Sequence, residues 1–198
     1  MIKFNNPSQE TPYLIFKEIY NKSVNAKQSN IDAITVASYS SIDKEVSARY
    51  VNLKFIQDKE FIFFSNYKSL KSKDFLSHPQ ITALIFWNTI NVQIRMKAKI
   101  KATSRDYNLE YFANRDKKKN ALAISSHQSS HIKTHDDVHK NYKLVFKNDD
   151  LTKCPEHWGG YSFIPYYFEF WEGHESRLNK RNVYEMKSNE WEHSILQP

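Results

Sequence analysis

His157-Trp158-Gly159-Gly160-Tyr161 and, after a strand-like run, Phe168-Glu169-Phe170-Trp171-Glu172-Gly173-His174-Glu175-Ser176-Arg177-Leu178-Asn179-Lys180-Arg181 contain all three glycines of the 198-residue chain. Two tryptophans and two arginines converge on the same stretch. Glycine is required where φ is positive or where backbone must come close to a partner, so its confinement predicts tightly specified turns around a ligand or a subunit contact. A pair of ordinary hairpin turns is the plainer alternative.

Working outward, residues 161–171, 177–187 and 191–196 read as strands around those turns. Residues 105–147 have helical texture: Tyr107, Leu109, Tyr111 and Phe112, then a basic turn Arg115-Asp116-Lys117-Lys118-Lys119, then a helix over about 131–146 capped by Ser129-Ser130. Further upstream, β-branched and aromatic runs at 33–39, 47–55 and 60–65 predict an antiparallel meander. Residues 68–77 predict a short helix stopped by Pro79, and 81–87 and 92–103 two further strands. In 92–101 polar and apolar side chains alternate, which makes one strand face cationic and solvated. Leu14, Ile15, Ile19 and the neighbouring aromatics give residues 12–22 the spacing of an amphipathic helix. Six or more antiparallel strands with interposed helices imply an α+β fold built on a β-barrel. No Pro, Ser or Gly-rich linker divides the chain, so one domain is expected over 1–198, beginning with a helical segment at 1–30.

The formal charge is +7, from 29 Lys and Arg against 22 Asp and Glu, with a pI near 9.3. An anionic partner follows, either nucleic acid or a phosphorylated small molecule. Aromatic content of 15% and cationic strands offer some support for nucleic acid. The aromatics, however, sit in apolar runs that a core would absorb, and no zinc finger, RNP-like pattern or long basic block occurs, so no nucleic-acid partner is expected. The apolar runs are far short of a membrane span and the N-terminus lacks a signal peptide's apolar core, so a cytoplasmic protein with no membrane partner is expected. The lone Cys154 reads as a packed or idle thiol in a reducing compartment.

His127, His131, His135 and His139 recur every fourth residue, a spacing that stacks side chains on a helix face. No Cys or Glu completes a closed zinc set nearby, so the stripe reads as solvated and no metal site is expected. Neither common glycine spacing for a phosphate loop is present, so a phosphate would be held by side chains. Arg49 and Lys54, five residues apart, point to opposite faces of a regular strand, while Lys71, Lys73, Arg115 and Lys119 lie on or beside helices.

Taken together, Arg49-Tyr50-Val51-Asn52-Leu53-Lys54, Phe63-Phe64-Ser65-Asn66 followed by Ser69-Leu70-Lys71, Phe86-Trp87 with Val92-Gln93, Tyr111-Phe112-Ala113-Asn114-Arg115, Gln128-Ser129-Ser130, Trp158-Gly159-Gly160-Tyr161 and Glu169-Phe170-Trp171 with Arg177-Leu178 and Arg181 resemble the pyridoxamine 5'-phosphate oxidase family of flavin enzymes. The match runs in order from about Ala33 to Pro198. The resemblance implies an antiparallel split β-barrel with surrounding helices. It further implies a homodimer that binds flavin mononucleotide (FMN) across its interface, with 155–198 as the dimerisation and substrate segment.

By position, Arg49, Lys71, Gln128 and Ser129 would hold the flavin phosphate and ribityl side. Tyr50, Val51 and Lys54 are also assigned to the cofactor, and Phe64, Ser65, Gln93, Trp171 and Arg181 would border the rest of it. Arg177 would lie against the ring of a small phosphorylated pyridine substrate with Asn179 beside it, and Lys54, Tyr111, Arg115 and Lys119 would take the substrate phosphate. The implied reaction oxidises pyridoxamine or pyridoxine 5'-phosphate to pyridoxal 5'-phosphate while O2 is reduced to H2O2. A flavin enzyme of another aromatic substrate, as in phenazine biosynthesis, and a non-catalytic FMN or pyridoxal-phosphate binder are the alternatives. The chain departs from the family pattern at Asn179, where histidine is usual, at Lys119, where serine is usual, at Leu70, where a basic residue is usual, and at Phe64, where tyrosine is common.

Overall fold

The computed structural model describes residues 1–198. Its strands are β1 (Lys3–Pro7), β2 (Ala33–Ser40), β3 (Glu45–Asp58), β4 (Glu60–Asn66), β5 (Gln80–Trp87), β6 (Val92–Ala102), β7 (Trp158–Glu172), β8 (Lys180–Lys187) and β9 (Glu190–Ile195). Its helices are α1 (Thr11–Asn25), α2 (Leu70–Ser77), α3 (Arg105–Ala113), α4 (Lys117–Ser125) and α5 (His135–Asn148). The mixed α+β architecture is as expected, and no helix is long and apolar enough to cross a membrane.

Strand pairing closes on itself. β3 pairs with β2, β2 with β5, β5 with β6, β6 with β7, β7 with β4, and β4 returns to β3, all antiparallel. β8 and β9 extend from β7 as a hairpin. Two expectations are corrected at the start of the chain: residues 3–7, inside the segment expected to be helical over 1–30, form the strand β1, and β1 lies parallel, not antiparallel, to β3. A parallel neighbour needs a long crossover, and α1 lies in the chain between β1 and the β2–β3 pair.

Alternation explains the core. On β6, Val92, Ile94, Met96, Ala98 and Ile100 are buried inside the ring, and Gln93, Arg95, Lys97 and Lys99 point away from it. The inward set joins Phe61, Phe63, Phe163 and Phe168 in one cluster of 26 buried residues. Each fully buried large side chain contributes about 1.5–3 kcal/mol. α1 is the expected amphipathic helix: it adds Tyr13, Phe16, Ile19 and Tyr20 to this core, Ile15 packs against it partly buried, and only Leu14 of the expected set faces solvent. Its aromatic rings meet the core edge to face, Phe16 against Phe61 at 5.1 Å and Tyr13 against Phe168 at 5.3 Å.

The glycine expectation is corrected. No glycine has positive φ, and Gly159 and Gly160 lie inside β7 rather than in a turn. What they provide is close approach. A Cβ on Gly159 would overlap the Tyr67 hydroxyl and the Asn108 amide, and one on Gly160 would lie 2.6 Å from Thr103 Oγ1. Asn108 Oδ1 accepts the Gly160 N–H at 2.8 Å, so α3 is fastened directly to the β7 backbone. Pro165, which cannot donate to the ladder, sits at the register shift of β7 opposite Ala98.

The helix expected from about 131 begins later. Thr134, not Ser129-Ser130, is the N-cap, in a reciprocal capping box with Asp137. Of the four histidines only His135 and His139 therefore share α5, with ring centroids 4.9 Å apart. Cys154 is buried beside Phe112 and Trp158, and burial pushes its thiol pKa up.

Candidate active site

Two of the expected cationic residues, Arg49 and Lys71, meet where α2 packs beside the ring. Arg49 lies on the ring-facing side of β3, and its guanidinium donates to Ser38 Oγ at 2.6 Å, Val36 O at 3.2 Å and Asp74 Oδ2 at 3.3 Å. Ser38 Oγ in turn donates to Asp74 at 2.6 Å, so a carboxylate from α2 fixes the arginine's rotamer. In the first turn of α2, Lys71 Nζ donates to Ser69 Oγ at 3.0 Å and Gln128 Oε1 at 2.8 Å. Ser65 Oγ, near the end of β4, donates to the same Gln128 oxygen at 3.2 Å. Burial, with a smaller push from the Arg49 charge, lowers the Lys71 ammonium pKa to about 8. Of these two neighbouring cations only Arg49 has a carboxylate partner, Asp74, which favours an anion beside them.

Next to this cluster stands an aromatic wall. Phe64 stacks on Tyr111 at 3.9 Å and on Trp158 at 5.1 Å, and the Arg115 guanidinium lies 5.0 Å over the Trp158 ring. Arg115 also donates to Asn120 Oδ1 at 3.0 Å. Burial raises the Tyr111 pKa, against a smaller lowering by Arg115, which keeps its hydroxyl a neutral donor. A cavity of about 220 Å³ is lined by Phe64, Ser65, Arg115, Lys119, Gln128 and Trp158, among others. The structure thus gathers Ser65, Gln128, Arg115 and Lys119 in one place, and Lys71 reaches it through Gln128.

Other expected residues lie elsewhere. Lys54 sits at the β3 register shift and is ion-paired to Asp32 at 2.8 Å. Tyr50 is exposed, and Val51 packs half-buried against the core. Ser129 occupies the turn before α5 with φ 72°. Gln93, Trp171 and Arg181 stand directly opposite one another on β6, β7 and β8 and share the face turned away from the ring. There the structure adds a group to which the sequence reading gave no role. Glu169, only 3% exposed, accepts from Arg95 Nε at 3.0 Å, Arg181 Nε at 2.8 Å and the Tyr167 hydroxyl at 3.2 Å. The cationic face of β6 is therefore not simply solvated. Alternating Arg95 with Glu169 across one strand pair was the available signal.

Beyond β7, Arg177 adopts φ 60°, and its side chain has no hydrogen-bond partner. Asn179 Oδ1 accepts the His174 N–H at 3.0 Å, which ties the turn together. Leu178, Asn179 and Arg181 line a separate cavity of about 450 Å³ with the C-terminal residues.

Comparison with known proteins decides the family. Residues 22–145 match the family model described as pyridoxamine 5'-phosphate oxidase. The chain belongs to the pyridoxamine 5'-phosphate oxidase family. Residues 158–198 match the description "pyridoxine 5'-phosphate oxidase C-terminal dimerisation region". A pyridoxine/pyridoxamine 5'-phosphate oxidase of Leptospira interrogans is 31% identical over 191 residues, covering 94% of this chain and 88% of the relative. One from Aliarcobacter butzleri is 33% identical over 193 residues, covering 96% and 90%. Among solved structures, PhzG from Burkholderia lata, in complex with tetrahydrophenazine-1-carboxylic acid, has a TM-score of 0.90 at 23% identity, over 98% of this chain and 95% of that one. A pyridoxamine 5'-phosphate oxidase-related, FMN-binding protein of Nostoc punctiforme has a TM-score of 0.77 at 10% identity, over 92% and 97%. Both likenesses show the fold.

Members of the pyridoxamine 5'-phosphate oxidase family are FMN-dependent oxidoreductases, and FMN is the cofactor of the family. The donors in this chain fit such a group. Lys71, half-buried and shifted down in pKa beside Arg49, gains a counter-ion from a phosphate dianion, and Ser65 and Gln128 add neutral partners.

Proposed function

We propose that the chain is an FMN-dependent oxidase converting pyridoxamine or pyridoxine 5'-phosphate to pyridoxal 5'-phosphate, with O2 reduced to H2O2. The observation that carries this reading is the pair of cation sets meeting at Gln128, Arg49 with Lys71 on one side and Arg115 with Lys119 on the other. One set suits the cofactor phosphate and the other the substrate phosphate, because each dianion rewards more than one charge-assisted donor. Bound FMN supplies the two-electron acceptor that dioxygen resets. The protein's part is to hold the substrate carbon in line and to exclude water, so a nucleophile-base pair is not required.

In this reading Phe64 and Trp158 wall the cavity between the two phosphates, with Tyr111 stacked against Phe64. Gln93, Trp171 and Arg181 sit on the outward face of the sheet, in a row separate from the phosphate cluster, and Arg177 has no partner within its own chain. A split-barrel homodimer of the FMN-binding type brings one copy's row to the other copy's phosphate cluster, and the match of 158–198 to a dimerisation region supports it. The buried free thiol of Cys154 suits the reducing cytoplasm.

Asn179 favours a second reading. Its amide oxygen is committed to the His174 N–H and it carries no charge, so the ring side of the site differs from the usual family pattern. A larger aromatic acid, of the kind held by the PhzG structure, would then be the substrate, with Lys119 facing its anionic group.

An anaerobic visible spectrum of the FMN-reconstituted protein, taken before and after adding pyridoxamine 5'-phosphate, tests the proposal. Bleaching that reverses on admitting air supports the oxidase. Flavin that binds and stays oxidised would leave cofactor binding standing and reject this substrate.

A further inference from the structure

Away from the phosphate cluster, a cavity of about 670 Å³ opens between the end of β6, the middle of β7 and the β8–β9 hairpin, with Tyr13 of α1 and Lys59 just before β4 at its edge. Its apolar lining includes Ile164, Pro165 and Met186, and its walls carry the rings of Tyr13, Tyr166 and Trp191. The wall is braced: Trp191 Nε1 donates to Glu10 Oε2 at 2.8 Å, and the same carboxylate pairs with Lys59. Pockets of a few hundred Å³ with apolar walls and a few polar groups are the usual form of small-molecule sites.

Two features go beyond shape. Ser162, 1% exposed and lining this cavity, carries the one buried side-chain N or O atom without a hydrogen-bond partner. A buried hydroxyl without a partner is costly, and a ligand that supplies one removes the cost. Three lysines, Lys59, Lys99 and Lys101, also line the cavity. Glu10 pairs with Lys59, and Glu60 pairs with Lys101 at 2.8 Å, while Lys99 has no carboxylate partner. Three cations against two carboxylates leave one positive charge in excess.

We propose that this cavity is a second ligand site, separate from the candidate FMN and substrate site, for an aromatic monocarboxylate. The rings and aliphatic side chains take the flat body, Lys99 takes the carboxylate, and Ser162 Oγ gains its missing partner. One unmatched charge selects a monoanion over a phosphate dianion, which would bring a second negative charge without a second free cation.

Calorimetric titration of the full chain, saturated with FMN, tests the site with 2-naphthoate as probe, 2-naphthamide as the neutral control and 2-naphthyl phosphate as the dianion. The expected result is one saturable site per chain for 2-naphthoate, at least roughly tenfold tighter than for either control and weakened about tenfold by Lys99→Gln or Ser162→Ala. Without probe, Ser162→Ala is expected to melt at or above the parent temperature, because its hydroxyl has no partner to lose. Equal binding of the amide, indifference to Lys99→Gln, displacement of the probe by FMN, or a lowered melting temperature for Ser162→Ala would each overturn the proposal.

Discussion

Arg49 and Arg177 are both assigned to the same reaction, and the chain treats them in opposite ways. Arg49 is locked by three acceptors from β2 and α2, whereas Arg177 stands in an exposed turn with positive φ and no side-chain partner. Ordering a free arginine side chain costs up to about 2 kcal/mol, a cost the fold has already met for Arg49 and not for Arg177. In the proposed function the contrast separates a phosphate end that a single chain assembles from a ring end that would await a second copy.

Substitution at the two arginines breaks or sharpens that contrast most strongly. Arg177→Ala is expected to lower kcat on the order of 10²-fold through lost alignment, with FMN retained as tightly as before. Arg49→Ala is expected to lose about 10-fold to 10²-fold in FMN affinity, read by flavin absorbance after gel filtration, because a charge-assisted contact is removed. If Arg177→Ala sheds flavin as readily as Arg49→Ala, the two regions are not distinct; an equally yellow Arg49→Ala preparation removes Arg49 from the phosphate site.

Glu169 extends the comparison to the outward row, where the supporting group is prebuilt although the ligand-facing one is not. Glu169→Gln leaves Arg95 and Arg181 without their shared charge. Breaking a buried pair costs about 3–5 kcal/mol, reduced here to about 2 kcal/mol because both arginines are partly exposed. A fall of roughly 4–8 °C in Tm is expected. Despite burial, which alone would raise it, hydrogen bonds and charge from Arg181 and Arg95 lower the Glu169 pKa. Its contribution is therefore full above the ordinary carboxylate pKa and is lost as pH falls through the lower folded value. The Glu169→Gln variant should lack that acid limb, and an acid-unfolding curve parallel to the parent's would argue against the pairing.

What the sequence revealed follows the range of the interactions involved. β6 was legible because inward and outward residues alternate locally, as in Val92 to Ile100, and β2 to β4 because β-branched and aromatic residues run together between polar turns. The start of α5 was misjudged by a few residues because two candidate caps, Ser129-Ser130 and Thr134, lie close together and only Thr134 has Asp137 three residues on. β1 has a single aromatic, Phe4, and no alternation to announce it. At the site, the residue types were visible through the family motifs, but their supports were not. Asp74 meets Arg49 from 25 residues away, Asp32 meets Lys54 from 22, and Glu169 meets Arg95 from 74. No local pattern encodes such pairings. The Lys54 ion pair in particular gives that residue a partner that its motif did not suggest.

The smallest expected effect is also the most specific to the prebuilt end. Lys71 titrates near 8 in the fold against 10.5 ordinarily, so between those values the unfolded chain binds more protons than the folded one. The stability of the FMN-free chain should therefore gain from this group as pH rises through that window, since burying the charged ammonium is what the fold disfavours. FMN affinity should run the other way. A phosphate dianion needs the protonated amine, so Kd should rise as pH passes from about 7 to 9, by at most about tenfold per pH unit once above the free protein's value. Lys71→Met should flatten both slopes at once and bind FMN more weakly at pH 7. A Kd that is level over this range in the parent chain would place the flavin phosphate away from Lys71.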